Sequence, residues 1–319
     1  MLVDKSEIPS VIPGAGLSVA LAFAALGVSA LYPSLDALLI SLVLGMFAAN
    51  FLGKGSALEA GVRFCVSFVL PAGVGLYGSQ LLLSGVGPFW LYVLGSGLLI
   101  FAITFLVARG FGLEDEMTLL LSAGLSTAGA CAIAMVSGVL GTEAQDTSAS
   151  IISVITVGLA GMLVFGFYPQ GLGVVPGKLA FIMGATLPSL GMVTSFGAPL
   201  DPGAIRLAAS FKLLRVVLLG ILLLVISFKS KSAPRCRRFP WFMIPFAVLV
   251  LAVNLLGGGS RLSAALAPSS QFVTSVGLAA VGLGVELDSA PRRGMMPFAT
   301  SLFAWGISVL FIYLVMRTL

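Results

Sequence analysis

Histidine is absent from this chain, charged residues are scarce and cysteine is rare. Of the 319 residues, 9% are charged and 59% are hydrophobic, whereas roughly a quarter of a typical soluble domain is charged. So few charges cannot cover a water-exposed surface, which excludes an ordinary soluble enzyme. The lack of histidine removes the commonest proton relay and the commonest metal ligand. The wide spacing of Cys65, Cys131 and Cys236 indicates neither a disulfide framework nor a metal cluster.

Apolar runs recur along the whole chain, each near the ~20 residues that cross a bilayer as a helix. They are apolar on every face rather than alternating in polarity, which favours helices over a closed barrel. The sequence therefore predicts an all-α, polytopic membrane protein with about 10–11 transmembrane segments. The candidate segments are 11–32, 36–53, 62–84, 87–109, 116–141, 147–169, 174–197, 204–228, 240–257, 266–286 and 296–316.

The basic residues lie mainly in the links between these segments, so the net charge of +5 indicates orientation rather than nucleic-acid binding. With eleven crossings, twelve of the 17 basic residues fall on the side of the N-terminus and three on the other side. The positive-inside rule then predicts a cytoplasmic N-terminus in a bacterial inner (plasma) membrane. The stretch from Lys229 to Arg238 carries five basic residues and should be cytoplasmic.

An internal repeat emerges when the chain is shifted against itself by 204 positions, without a gap. Seven predicted crossings separate the two copies, and an odd number gives them opposite orientations. We therefore predict an inverted-topology repeat, in which residues 41–83 and 245–287 superpose after a rotation of about 180° around an axis in the membrane plane. The clearest matching pairs are Asn50 with Asn254, Phe68 with Phe272, Gly73 with Gly277 and Gly78 with Gly282.

This repeat divides the chain into three parts. Residues 1–113 form a first transmembrane repeat, 114–203 hold glycine-rich interrupted helices, and 204–319 form the second, inverted repeat. Both Asn50 and Asn254 precede glycines at predicted helix ends, so we interpret them as C-terminal caps.

The fifth and seventh segments contain glycine, hydroxyl and proline residues where a membrane helix is normally apolar. Such residues suit interrupted or re-entrant helices, and the freed N–H groups of an interrupted helix can cradle an anion. Close packing of small residues, with hydroxyls bonded to their own helix, is the alternative. The candidate binding residues here are Ser126, Thr127, Gly129, Cys131, Thr186 and Ser189.

Lys212 and Arg215 are the basic residues well inside an apolar segment, ~25 Å and ~21 Å from the cytoplasmic boundary near Lys229 at 1.5 Å per helical residue. Lys212 and Arg215 join the candidate binding residues, although for Lys212 we favour the alternative that its side chain extends towards the membrane surface. Arg215 lies closer to the middle, where a charge costs at least ~2.5 kcal/mol unless it is paired. An anionic substrate, or a backbone carbonyl freed by an unwound helix, would pair with it. Of these two partners we favour the anion, and we predict that Arg215 faces an anion site between the fifth and seventh segments.

Two motifs resemble the YeiH-like sulfate exporter family of bacterial inner-membrane proteins. Gly124-Leu-Ser-Thr-Ala-Gly129-Ala-Cys131-Ala-Ile133-Ala is similar to that family's Gly-Thr-Ala-Ile-Cys-Gly-Ala-Ser-Ala-Ile-Ala signature, and Lys212-Leu-Leu-Arg215-Val to its Lys-x-x-Arg helix. Where the family usually has Gly-Ala-Ser-Ile-His, this chain has Gly184-Ala-Thr-Leu-Pro188. The resemblance implies membership of the wider bile acid, arsenite and antiporter-like carrier superfamily, with two crossing interrupted helices.

Three functions remain in view. The first is a secondary transporter, working by alternating access, for a small oxyanion or organic anion such as sulfate or a sulfonate. The second is a channel or a non-transporting membrane scaffold. An intramembrane enzyme fits poorly, because the chain has neither histidine nor a mid-span acid. We expect no catalytic residue, metal or cofactor; the partners would be a small anion, the lipid bilayer, a coupling proton or sodium ion and, as an option, further copies of the chain.

Overall fold

The computed structural model describes residues 8–32, 35–52, 56–167, 176–195, 202–229, 240–255, 259–286 and 295–318, and these contain helices and no strand. The predicted all-α, polytopic fold is confirmed. Because the bilayer offers no hydrogen-bond partners to the backbone, a chain this apolar satisfies its amides and carbonyls inside helices. The basic stretch after Lys229, with Cys236, lies outside the described residues.

The helices of the first half form a pattern of long helices interrupted by short irregular turns. They are α1 (Ile8–Leu31), α2 (Ala37–Leu52), α3 (Ser56–Phe64), α4 (Leu70–Leu76), α5 (Leu83–Val86), α6 (Trp90–Gly110), α7 (Asp115–Ser126), α8 (Ala130–Leu140) and α9 (Ala144–Phe167). A π-helical turn, Cys65–Val69, joins α3 to α4, and a 3-10 turn, Tyr77–Gln80, extends α4. Another 3-10 turn, Gly87–Phe89, leads into α6.

The second half of the chain also combines long helices with short helices and breaks. Its helices are α10 (Pro176–Thr186), α11 (Leu190–Ser195), α12 (Pro202–Leu214), α13 (Val216–Lys229), α14 (Met243–Leu255), α15 (Gly259–Leu283) and α16 (Met296–Thr318). Here α12 and α13 follow one another with Arg215 at the joint.

Seven helical stretches in the described part of the chain are long and apolar enough to cross a membrane, and three shorter apolar helices accompany them. The seven are Ser10–Leu31, Ala57–Gln80, Trp90–Gly110, Ala144–Gly166, Pro202–Phe228, Arg261–Leu283 and Met296–Arg317. The predicted starts of the third and tenth segments are wrong by six and seven residues, since α3 begins at Ser56 and α15 at Gly259. In α15 the helix continues through Pro268.

The two copies of the sequence repeat contact each other reciprocally. Asn50 at the end of α2 donates to the Val285 carbonyl after α15, at 3.2 Å, and Asn254 at the end of α14 donates to the Leu81 carbonyl, at 2.8 Å. Each asparagine also bonds a carbonyl of its own helix, as a cap does. The offset of 204 residues relates the two long-range bonds to each other. The same offset relates two further pairs of close contacts. The contact of Gly78 with Phe246 corresponds to that of Gly282 with Leu42, and the contact of Gly73 with Thr274 corresponds to that of Gly277 with Leu70.

Candidate functional site

The first helix break lies between α7 and α8, at residues 127–129. The Thr127 amide bonds the Ala123 carbonyl and the Gly129 amide bonds the Gly124 carbonyl, both at 3.0 Å, which closes the end of α7. Gly129 then adopts φ +61°, a conformation that favours glycine. Beyond it, Ile133 packs on Gly124.

That contact fixes the path of the chain. In one continuous α-helix, residues nine positions apart would be ~13 Å apart. Contact between Gly124 and Ile133 therefore means that α8 folds back along α7. The fifth predicted segment, which we had counted among the crossings, re-enters instead, so the number of crossings no longer establishes the orientation of the repeats.

The second break lies between α10 and α11. The Leu187 amide bonds the Met183 carbonyl at 3.0 Å, and Pro188 follows, which has no amide hydrogen to continue the helix. The Ser189 hydroxyl accepts the Met192 amide at 3.3 Å and so caps the start of α11. The predicted interruption of the seventh segment is thus present, and Ser189 has a local role in it.

The two breaks touch. A methyl group added to Gly129 would lie 3.0 Å from the Pro188 carbonyl oxygen, so the backbones meet where a side chain would not fit. Both broken helices therefore bring their free ends to one place. These ends are of two kinds: the last carbonyls of α7 and α10 and the first amides of α8 and α11 have no partner within their own helix.

Arg215 lies at the carbonyl ends. Its side chain is fully buried, and its guanidinium donates to the Ala185 carbonyl and, at 3.5 Å, to the Leu125 carbonyl. Leu125 and Ala185 are the penultimate residues of α7 and α10. A positive charge is favourable here because the carbonyl end of a helix carries partial negative charge. The pairing is with freed backbone carbonyls, the second of the two partners that the sequence suggested.

Lys212 lies three residues earlier, in the last turn of α12, and is buried. It is only 3% exposed and its ammonium donates to the Leu187 carbonyl at 2.6 Å. The prediction that it extends to the membrane surface is wrong, because the break after Leu187 offers a nearer acceptor than the headgroups do. An ammonium has three donors, so this bond leaves capacity for a ligand.

A cavity opens beside the breaks, with a volume of about 70 Å³. Lys212 and the first residues of α8 form one wall, and apolar side chains from α2, α4 and α15 form much of the rest. Five of the eight predicted binding residues line it: Thr127, Gly129, Cys131, Ser189 and Lys212.

The other three, Ser126, Thr186 and Arg215, are not among the lining residues. The Thr186 hydroxyl bonds the Ile182 carbonyl at 2.7 Å, and the Ser126 hydroxyl bonds the Ala123 carbonyl at 3.4 Å. Thr127 also back-bonds to Ala123, at 2.7 Å. The hydroxyls of the breaks thus follow the packing alternative that the sequence left open.

Two residues near the site escaped sequence reasoning. Thr274 of α15 lines the cavity, and a threonine in an apolar helix carries no signal of that. Asp36, just before α2, accepts the Leu38 amide at 2.7 Å and the Thr194 hydroxyl of α11 at 3.0 Å. Its position beside a predicted helix start was visible in the sequence, but its partner 158 residues away was not.

These features define a class: a polytopic α-helical membrane protein with two broken helices that meet beside a buried cavity. Residues 13–301 match the family described as Conserved hypothetical protein 698, and the chain belongs to that family. The predicted relationship to YeiH is confirmed with it.

The curated relatives are membrane proteins of the same kind. The chain is 29% identical over 334 residues to a UPF0324 membrane protein of Pseudomonas aeruginosa, covering 94% of this chain and 92% of that one. It is 28% identical over 310 residues to one of Brucella suis, with 91% of each chain covered. With the UPF0324 inner membrane protein YeiH of Escherichia coli the identity is 25% over 290 residues, covering 85% and 83%. No solved structure matches. The chain is accordingly a multi-pass inner-membrane protein.

Proposed function

We propose that the chain is a secondary transporter that carries a small oxyanion or organic anion by alternating access. The observation that carries this proposal is the buried Lys212 ammonium at the wall of a cavity that also receives the amino end of α8. Ammonium and free helix amides both favour a negative charge, and no acidic side chain lines this cavity among the described residues. Interrupted helices that meet at mid-membrane are a recurrent way to build a carrier's binding site.

An inverted repeat would supply the two states of such a carrier. Reciprocal contacts, in which two equivalent residues exchange the same partner, are those of a two-fold relation. The carboxyl ends of α2 and α15 meet at the Asn50 bond, so these helices run the same way. Because only three residues link α14 to α15, α14 runs opposite to both. These directions favour a two-fold axis in the membrane plane.

Exchange of anions across proteoliposomes tests the transport function. We expect the uptake of labelled anion to saturate with its concentration and to be faster when unlabelled anion is preloaded inside the vesicles. A channel or a scaffold would not show this exchange. Lys212→Gln should lower exchange by about 10- to 100-fold, the equivalent of one charged hydrogen bond. Lys178→Gln, which makes the same charge change at the start of α10, is the matched control and should exchange normally. Equal exchange by the two variants would remove Lys212 from the site.

The orientation has a separate test. We propose that the N-terminus is cytoplasmic and that the stretch from Lys229 to Arg238 lies on the same side, because its basic residues dominate the charge bias. An impermeant thiol reagent should label Cys236 in inside-out vesicles and not in sealed cells. Cys65, at 1% exposure, provides the unreactive reference. Labelling in sealed cells would reverse the orientation.

A further inference from the structure

The walls of the cavity are unequal. Among its lining residues, Lys212 and the α7–α8 break form a polar wall, whereas Leu38, Leu42, Val74 and Leu278 form an apolar one. A bare inorganic oxyanion presents charge on every side, and burying it against an apolar wall leaves some of its oxygens without partners, which is costly. An anion with an apolar body matches both walls.

Thr274 supplies a polar group within the apolar part. It is 2% exposed, it lines the cavity, and its hydroxyl, which lies against Gly73 of α4, has no hydrogen-bond partner among the described residues. Some buried hydroxyls in these helices bond the carbonyl four residues back, as those of Ser41, Thr104 and Ser153 do, whereas others, such as that of Ser275, share the lack of a partner among the described residues but do not line the cavity. An unpaired buried hydroxyl costs about 1–3 kcal/mol, which a ligand's polar group would recover.

We propose that the cavity takes an organic anion whose acid group binds at Lys212 and the amino end of α8, and whose apolar body carries one hydrogen-bonding group for Thr274. This inference rests on the proposed transport function. It narrows the substrate class from any small anion to amphipathic organic acids such as hydroxyalkyl sulfonates or carboxylates. Thr274 acts as a specificity-determining residue, while Lys212 supplies the charge.

The first test compares sulfate, propanesulfonate and 3-hydroxypropanesulfonate as exchange substrates for the full chain in proteoliposomes. We expect both sulfonates to exchange faster than sulfate, and the hydroxylated one to be preferred by about 3- to 10-fold, the value of one hydrogen bond. Sulfate exchanging as well as the sulfonates would overturn the organic substrate class and leave the transport function standing. Failure of all three anions, and of a wider panel of carboxylates, would overturn the transport function itself.

The second test assigns the preference to Thr274. Thr274→Val keeps the shape and removes the hydroxyl, so it should lose the preference and exchange propanesulfonate and 3-hydroxypropanesulfonate at about the same rate. Thr274→Ser should keep that preference. Ser275→Ala is the matched control, because Ser275 is also buried and unpaired among the described residues but does not line the cavity. A preference that persists in Thr274→Val, as in Ser275→Ala, would exclude Thr274 from the site.

Discussion

At the two breaks, the carbonyls at the carboxyl ends of the helices and the amides at the amino ends find their partners in different ways. The carbonyl ends of α7 and α10 are held together by Arg215, which bonds one carbonyl in each and is not among the residues lining the cavity. The amino end of α8 instead opens on the cavity, beside Lys212. Both cations, one turn apart, bond backbone carbonyls at the breaks, but of the two Lys212 also lines the cavity and Arg215 does not. Depth in the membrane therefore does not by itself distinguish a structural charge from a ligand-binding one.

Replacing Arg215 should give the largest loss of stability and is the strongest test of this difference between the two kinds of helix end. Arg215→Met keeps an apolar stem but removes two hydrogen bonds from a charged group, each worth about 1.5–3 kcal/mol, so we expect a loss of about 3–6 kcal/mol of stability. The thermal unfolding midpoint in detergent should fall sharply. Arg215→Lys should recover part of the loss because it retains the charge without the fork that reaches two carbonyls.

The control is Arg206→Met, at an exposed position on α12, which should unfold like the parent. If Arg215→Met were as stable as the parent and had lost anion exchange alone, Arg215 would act on the substrate, as the sequence first suggested. The comparison between the two kinds of helix end would then fail. Lys212→Met should lose less stability than Arg215→Met, because it removes a single bond to a carbonyl.

The breaks themselves could be predicted from the sequence, but their use could not. Glycine and proline act on the backbone locally, so Gly129 and Pro188 mark interruptions whatever surrounds them. The partner of a side chain depends on which helices become neighbours. Leu125 and Ala185 precede Arg215 by 90 and 30 residues, and nothing in their apolar side chains shows that their carbonyls are acceptors. Thr274 was missed for the same reason, since only the fold places it at the cavity.

Gly129 gives the next largest effect, and it tests whether the two breaks must touch. Gly129→Ala places a methyl group against the Pro188 carbonyl and forces alanine to φ +61°, so we expect a loss of about 1–3 kcal/mol. Gly138→Ala, later in α8, has open space around the added methyl and no positive φ, and it should be neutral or more stable by up to about 1 kcal/mol. Thermal midpoints of the two variants provide the measurement. Equal midpoints would show that α8 can move away from Pro188 at no cost.

Asp36 gives the smallest effect and concerns the other end of α11, which is tied to α2 through Thr194. Asp36 lies in the link between α1 and α2, outside both helices. Burial raises the pKa of its carboxyl, against the lowering by the bonds from Leu38 and Thr194. The native state therefore binds a proton more tightly than the unfolded chain, in which an aspartate has a pKa of about 3.9.

The sign of the pH dependence follows from this difference. The contribution of the protonated carboxyl to stability is fully present below the unfolded pKa and is lost as the pH rises through the raised native pKa. Asp36→Asn keeps an acceptor for the Leu38 amide and removes the titration, so its thermal midpoint should fall less than that of the parent between pH 4 and pH 8 (~4 units). Thr194→Val removes one of the bonds that lower the pKa, so its midpoint should fall more steeply than that of the parent. If the thermal midpoints of the parent and Asp36→Asn changed with pH in parallel, Asp36 would not titrate in this range. Its bond to Thr194 would then hold the end of α11 equally at every pH tested.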